Sequence, residues 1–229
     1  MGTVPRPTSP KSGANGGRTG RPPVTSRAQI LTAARQLIDR DGWDKLTVRR
    51  LAAELGIGST TLYHHLRDKE DLLLLMLNEY IGRIPRPELP DDPAERIVTV
   101  AVVARDMLAD WPWAAEVLTV DGFMGRFDDD ARWFVEAILA AAVDSGCSHD
   151  QAVQIFRHVW YYTVGEVLVR SRSAGVRRPD GQPVNPSFRR SLQDSRLPHV
   201  AAVADSWSVL AAEDTYADGV RAFVRGILA

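Results

Sequence analysis

The chain has 229 residues, 45% of them hydrophobic and 25% charged, which is enough apolar material for one or two globular domains and excludes a mainly disordered chain. Its longest wholly apolar runs, residues 72–77 and 137–143, are far shorter than the roughly 20 residues that span a bilayer. The basic N-terminus is not followed by the apolar stretch that a signal peptide has, and Cys147, the one cysteine, cannot form an internal disulfide. We therefore expect a cytoplasmic protein without a membrane partner.

The formal net charge of −1 hides a division of charge along the chain. Residues 1–83 carry 13 lysines and arginines against 8 acidic residues, a balance of +5, whereas the remainder carries 15 against 21, a balance of −6. Residues 1–38 contain six basic residues and no acidic one. A polyanion would prefer this end of the chain, because neutralising phosphates releases counterions.

The first 24 residues are rich in Pro, Gly, Ser and Thr and have no hydrophobic period, which predicts a flexible basic arm. Two interpretations of the arm are open: a solvated tail, or a segment in which Arg18 and Arg21 follow the minor groove of DNA. Ser26 and Gln29 then form a capping-box pattern, and the apolar residues that follow at helical spacing predict the first helix.

The stretch 47–71, TVRRLAAELGIGSTTLYHHLRDKED, indicates two short helices around a glycine turn. Thr47 can cap the first helix, and Gly56 stands where a residue in the left-handed conformation would end it. The second helix keeps Leu62 and Leu66 as inward anchors and turns a polar and aromatic face outward. A solvated polar face is the alternative, but such a helix pair is typical of proteins that read the major groove of DNA.

The segments LTVRRLAAELGI, TLYHHL and DKEDLL resemble the tetracycline-repressor (TetR) family, and the resemblance covers about residues 26 to 83. It implies an all-α fold and a homodimer, in which a small molecule bound to the second domain releases an N-terminal helix-turn-helix domain from a double-stranded DNA operator. Many members have Phe at the position of Leu66. This departure should alter the packing beneath the second helix of the pair, which we call the reading helix, more than it alters the outward face of that helix. The resemblance also implies roles for residues at matching positions. Those expected to contact DNA bases are Arg49, Ser59, Thr60 and Thr61. Those expected to contact the DNA backbone are Tyr63, His64 and Lys69.

A fourth helix is predicted from its cap at Asp68 to Gly82, with an apolar side that joins two domains. Four prolines between residues 85 and 93 then forbid a continuous helix. Beyond them the helical period returns, so the whole chain is predicted to be all-α. We divide it into a flexible basic arm (1–24), a DNA-binding domain with its linking helix (25–83), and a ligand-binding and dimerisation domain (84–229).

Residues 149–171 and 199–229 carry wide apolar stripes at helical spacing, with more apolar surface than one small bundle needs. In the TetR family the matching segments form the dimer interface. A two-fold dimer would place two reading helices about one DNA turn, roughly 34 Å, apart on a palindromic site. Between the stripes, residues 171–198 contain six arginines and four prolines and are predicted to form a long loop, either a lid or a disordered segment.

Aromatic residues are concentrated beyond residue 83, where five of the six tryptophans lie. They could line a cavity for a small hydrophobic effector, and the alternative is that aromatic residues at helical spacing are plain core. His158 could orient such a ligand, or it could be a satisfied core or interface histidine. The candidate ligand-binding residues are Met107, Trp111, Trp113, Phe123, Trp133, Phe156, His158 and Trp160.

An enzyme is the main alternative from another functional class. The chain has no Gly-x-Ser-x-Gly elbow, no phosphate-binding Gly-x-x-x-x-Gly-Lys loop and no His-Glu-x-x-His pair. His64 and His65 are adjacent on a helix and therefore point in different directions, which argues against a shared metal ion. We expect no catalytic residue, metal site or cofactor, and the remaining alternative is a DNA-binding regulator without an effector.

Overall fold

The computed structural model describes residues 25–119, 122–174 and 187–228, and the arm predicted over residues 1–24 lies outside these ranges. The described residues form α-helices and two 3₁₀ turns, with no β-strand among them. No helix in this part of the chain is long and apolar enough to cross a membrane. The predicted all-α architecture is confirmed.

The N-terminal part contains the helix-turn-helix and the helices that support it. Its elements are α1 (Arg27–Asp41), a 3₁₀ turn at Trp43–Lys45, α2 (Val48–Glu54), α3 (Ser59–Tyr63) and α4 (Lys69–Ile81). The inward sides of these helices are built mainly of leucine, isoleucine and alanine, and together they form one apolar core. Burial of these side chains, rather than the intrinsic stability of such short helices, holds the N-terminal part together.

The predicted helix caps are present. Ser26 Oγ accepts a hydrogen bond from the Gln29 amide at 3.2 Å, and Gln29 Oε1 accepts one from the Ser26 amide at 2.9 Å, which completes the capping box of α1. Thr47 and Asp68 cap α2 and α4 through their side-chain oxygens. Because these bonds satisfy amides that a helix start leaves free, local sequence determines where the three helices begin.

The C-terminal part follows the proline-rich linker. In the described residues, α5, α7, α8 and α12 form its main bundle, in which α5 contacts the other three. Isoleucine, valine and alanine side chains from these four helices fill the bundle core. The elements are α5 (Pro93–Asp110), α6 (Pro112–Val117), a 3₁₀ turn at Phe123–Arg126, α7 (Asp129–Asp144), α8 (His149–Ala174), α9 (Ser187–Gln193), α10 (Pro198–Ala202), α11 (Trp207–Leu210) and α12 (Tyr216–Leu228).

The prediction of a long loop over residues 171–198 is wrong at both ends of that range. Helix α8 continues to Ala174, and α9 occupies Ser187–Gln193, while residues 175–186 lie outside the described ranges. Helix α9 has no buried residue, and its two apolar side chains, Phe188 and Leu192, form too short a stripe to predict a helix.

The two parts share a core that centres on the linking helix α4. Buried side chains of α1, α2 and α4 are continuous with Met107 and Leu108 of α5, with Trp113 of α6, and with Val164 and Val167 of α8. Helix α4 also contacts both α6 and α7. Because α4 is packed against both parts, a displacement of the C-terminal helices can be transmitted to the helix-turn-helix.

Candidate DNA interface and effector cavity

The turn between α2 and α3 has the geometry of a helix-turn-helix. Gly56 has a φ of +65°, a left-handed conformation that glycine adopts without strain, and the Ile57 amide donates a hydrogen bond to Ala52 O at 3.0 Å. The anchors Leu62 and Leu66 are 0% and 3% exposed. Because α3 has only five residues, these two buried side chains hold it in place.

The candidate DNA contacts of α3 lie on its outward side. Thr60 and Thr61 are exposed and Ser59 is half-buried. Tyr63, at the end of α3, is 56% exposed, and His64 after it is exposed as well. The burial of Leu62 therefore leaves the hydroxyls, the phenol and the imidazole available to a molecule outside the fold.

Two adjacent arginines at the start of α2 have different surroundings. Arg49 is exposed and makes no ion pair with any other residue that the structure describes. Arg50 is ion-paired with Asp41 and also donates a hydrogen bond to Lys45 O at 3.0 Å. Arg49 is thus available for a contact outside the chain, whereas Arg50 braces α2 against the end of α1.

Lys69, the remaining candidate DNA contact, lies at the start of α4 and is half-buried. Its Nζ donates a hydrogen bond to Trp43 O at 2.8 Å and lies 4.1 Å from the centroid of the Trp43 ring. Desolvation lowers the pKa of Lys69, against the raising effect of the Asp44 carboxylate. The ammonium group is therefore held against Trp43, by its carbonyl oxygen and by its ring.

An aromatic ladder, formed by Trp43, Trp113, Trp111 and Tyr80, connects the N-terminal and C-terminal parts. Neighbouring rings are stacked, with centroid distances of 6.3 Å, 5.5 Å and 4.4 Å along this order. The Arg35 guanidinium lies 5.0 Å from the Trp111 centroid. Trp111 and Trp113, two of the candidate ligand-binding residues, thus lie in the contact between the two parts.

A cavity of about 50 Å³ lies between α5, α7, α8 and the 3₁₀ turn at Phe123–Arg126. Four of the eight candidate ligand-binding residues line it, namely Met107, Phe123, Phe156 and Trp160. Among the described residues of its lining there is no charged side chain, and the hydroxyl of Thr163 and the indole N–H of Trp160 are the N–H and O–H groups of these side chains. The cavity has room for roughly three or four water molecules, so a larger ligand requires its walls to move.

The other two candidate ligand-binding residues lie away from this cavity. Trp133 packs edge-on against Phe134 with ring centroids 5.2 Å apart, and the Arg86 guanidinium lies 5.3 Å from its centroid. His158 is exposed on α8, with its ring 6.0 Å from that of Phe223 on α12. The structure therefore brings only half of the eight candidates together at the cavity.

Thr163 belongs to a buried hydrogen-bond chain behind the cavity. Its Oγ1 lies 2.7 Å from Val159 O and 2.6 Å from the Tyr216 hydroxyl, which lies 3.3 Å from Ala101 O. Thr163 and Tyr216 are 2% and 1% exposed. Burial raises the pKa of Tyr216 to about 12, against the lowering effect of the Thr163 bond. Thr163 is not among the site residues that the sequence pattern predicts, although a lone threonine in the apolar stripe of α8 is a signal for such a residue.

The 3₁₀ turn also reaches from the cavity to the linking helix. Phe123 lines the cavity, while Arg126 Nη2 donates a hydrogen bond to Asp71 Oδ1 at 2.7 Å and Arg126 Nη1 lies 3.6 Å from Glu70 Oε2. Asn78 of α4 donates a hydrogen bond to Arg126 O at 3.4 Å. We call these contacts between Arg126 and α4 the Arg126 clamp.

The charge of Asp71 favours the clamp at neutral pH. Desolvation acts to raise the pKa of Asp71, but the bonds from Arg126 and from the Arg67 amide outweigh it and hold the pKa below its usual value. A carboxylate with a lowered pKa in the folded state contributes stability that is lost only as the pH falls through that value. The Arg126 clamp is therefore ionised throughout the neutral range.

Comparison with known proteins adds family matches over most of the chain. Residues 30–76 match the family model described as "Bacterial regulatory proteins, tetR family", and residues 86–229 match "Tetracyclin repressor-like, C-terminal domain". An HTH-type transcriptional regulator of Saccharopolyspora erythraea is 33% identical over 178 residues, which cover 74% of this chain and 74% of that protein. Further relatives are named HTH-type transcriptional repressors.

Similar solved structures have the same arrangement of helices. The Streptomyces coelicolor TetR family protein ActR in complex with actinorhodin matches with a TM-score of 0.72 and 21% identity, over 89% of this chain and 95% of that chain. BioQ with its double-stranded DNA operator matches with a TM-score of 0.54 and 27% identity, over 77% and 98%. An N-terminal helix-turn-helix, a C-terminal helical domain and both family models show that the chain belongs to the TetR family, whose members are transcriptional regulators and not enzymes.

Proposed function

We propose that the protein is a homodimeric repressor that binds a palindromic operator and is released when a small hydrophobic molecule occupies the cavity beside Phe123. One observation carries this proposal: the same 3₁₀ turn forms part of the cavity wall through Phe123 and holds α4 through Arg126. The names of the relatives support repression, and the ActR and BioQ complexes show a ligand and an operator bound to proteins of similar fold.

The position of the clamp beside the reading helix supports coupling between the two sites. Tyr63, the last residue of α3, and His64 after it line the same surface groove as Asp71 and Arg126. A shift of α4 relative to Arg126 therefore alters the immediate surroundings of the proposed DNA contacts.

Release requires a ligand that prefers one arrangement of α4 over the other. Because the cavity measures only about 50 Å³, a larger ligand must displace part of its wall. A short 3₁₀ turn is a weaker structure than the long helices around the cavity, so the turn at Phe123–Arg126 is the part that yields. Its movement draws Arg126 away from α4, and the two reading helices of a dimer then no longer match half-sites roughly 34 Å apart.

The homodimer in this proposal is supported by the outer faces of α8 and α12. Tyr161 and Val169 of α8 are 59% and 65% exposed, and Phe223 and Ile227 of α12 are 38% and 37% exposed. The bundle core buries other side chains of the same two helices, such as Val159 of α8 and Val224 of α12, and leaves these four partly uncovered. A second copy of the chain would cover them and form a two-fold contact.

Selection of bound fragments from random double-stranded DNA at low ionic strength tests this function. The expected product is a palindromic sequence that binds one dimer, and a screen of small molecules for release from that sequence then identifies effectors. If the dimer selects a site but no molecule that binds the cavity releases it, the protein is instead a regulator without an effector. If no DNA is selected at all, the proposed function is wrong.

Replacing Arg49 by Ala is expected to weaken operator binding by about 1 to 3 kcal/mol and to relax the preference at one base pair, because a guanidinium can hydrogen-bond a guanine through two atoms. The melting temperature should stay unchanged, since Arg49 makes no ion pair with the described residues. Binding titrations against single-base variants of the selected site measure both effects.

The neighbouring arginine supplies the matched control. Arg50→Ala removes the contacts to Asp41 and Lys45 O, so it should lower thermal stability and leave the base preference as in the unmodified protein. An equal loss of affinity on every sequence for Arg49→Ala would instead place Arg49 on a phosphate.

Replacing Arg126 by Gln is expected to weaken operator binding roughly 2- to 10-fold without ligand, because a partly exposed ion pair, which solvent weakens to about 1 kcal/mol, no longer holds α4. The salt dependence of binding should not change, since Arg126 acts through α4 and not on a phosphate. Titrations at several salt concentrations measure both quantities.

Arg83→Gln is the control for this loss of charge, because Arg83, two residues beyond the end of α4, pairs with Glu79 of α4 and makes no ion pair with the described residues of the C-terminal part. It should leave operator affinity close to that of the unmodified protein. If Arg126→Gln and Arg83→Gln have the same effect, the clamp does not couple the two sites.

A further inference from the structure

The chemistry of the cavity lining restricts the charge of any ligand. None of the described lining residues is charged, and apart from the Thr163 hydroxyl and the Trp160 indole N–H their side chains are apolar. An ionised ligand would lose its hydration there without gaining a counter-charge, which is strongly unfavourable. A neutral molecule with a mainly apolar body is therefore the class that this lining accepts.

A count of hydroxyl hydrogens restricts the polar group of the ligand. Thr163 and Tyr216 contribute two hydroxyl hydrogens to three close contacts, with Val159 O, with each other and with Ala101 O. In every arrangement of these bonds both hydrogens are used within the protein, and lone pairs remain on the hydroxyl oxygens. The chain of bonds can accept another hydrogen bond but has no hydrogen left to donate.

We infer that the cavity binds a neutral, mainly apolar molecule with one hydrogen-bond donor, and that Thr163 Oγ1 accepts a hydrogen bond from this donor. This inference rests on the proposed function in placing the effector at this cavity. The Thr163 hydroxyl supplies the oxygen acceptor among the described lining side chains, because the indole N–H of Trp160 can only donate. The donor of the ligand therefore has one position to occupy, and its bond orients the apolar body toward Phe123 and Phe156. Thr163 is thereby a specificity-determining residue.

Indole and benzofuran are suitable probes because they have nearly the same shape and differ in one atom. Indole carries an N–H donor where benzofuran has an oxygen that can only accept. Calorimetric titration of the full-length protein should show indole binding roughly fivefold more tightly, which corresponds to one neutral hydrogen bond. Indole-5-carboxylate, which keeps the N–H group but adds a negative charge, should bind more weakly than either.

Two variants identify the acceptor. Thr163→Val replaces the hydroxyl by a methyl group of similar size, so the preference for indole over benzofuran should disappear while benzofuran binding is kept. Tyr216→Phe leaves the Thr163 oxygen in place, so the preference should persist. A merely structural role of Thr163 would weaken both probes equally and would leave their ratio unchanged.

The outcomes separate this inference from the proposed function. Equal binding of indole and benzofuran, tighter binding of the carboxylate, an unchanged preference in Thr163→Val, or no binding of any probe overturns the inferred ligand class. The repressor proposal is tested independently by operator release. Indole binding without release of the operator supports the ligand class and contradicts the coupling through Arg126.

Discussion

Replacing Phe223 by Asp is expected to convert the dimer into a monomer and to lower operator affinity by roughly 10²- to 10⁴-fold, the gain that two linked binding sites provide. Phe223 is 38% exposed on α12, and its ring lies 6.0 Å from that of His158 on α8, so it joins the two apolar faces. In a two-fold contact the substitution occurs twice, and each carboxylate is buried against apolar side chains. Sedimentation velocity measures the oligomeric state, and titration of the selected operator measures the affinity.

Leu89→Asp is the control for this substitution. Leu89 is 37% exposed, as Phe223 nearly is, but it lies in the linker between α4 and α5. It should leave both the dimer and the operator affinity unchanged. A dimer of Phe223→Asp with full operator affinity would show that the faces of α8 and α12 are not the interface.

The parts of the fold that sequence predicted well depend on local interactions. The capping box of Ser26 and Gln29 and the left-handed Gly56 involve residues within a few positions of each other, and the sequence contains all the information for them. The same holds for the outward face of α3, which follows once Leu62 and Leu66 are assigned to the core. The starts of α1, α2 and α4 and the helix-turn-helix could therefore be predicted.

The candidate cavity depends on how whole helices are rotated against each other, which a single sequence does not specify. On α7, the ring of Phe134 reaches the cavity, whereas its neighbour Trp133 packs beneath Arg86. Trp111 and Trp113 flank the break at Pro112, and this break turns both rings toward the N-terminal part. Aromatic content thus predicted that a cavity could form but not which rings would line it.

The aromatic ladder, which the sequence did not predict, carries the second large effect. Replacing Trp113 by Ala is expected to lower the free energy of unfolding by roughly 3 to 5 kcal/mol, the usual cost of removing a buried tryptophan. Trp113 is 9% exposed and stacks on Trp43 from the N-terminal part and on Trp111 from its own part. Chemical denaturation followed by circular dichroism measures the change.

The position of Trp113 also determines how the variant should unfold. Because its ring joins the core of α1 to α4 to that of the C-terminal helices, its loss should let the helix-turn-helix unfold at a lower denaturant concentration than the bundle. Trp207→Ala, at a site that is 48% exposed, should keep both the stability and the single transition. If Trp113→Ala loses stability but still unfolds in one step, the contact through α4 alone couples the two parts, and the aromatic ladder adds only buried area.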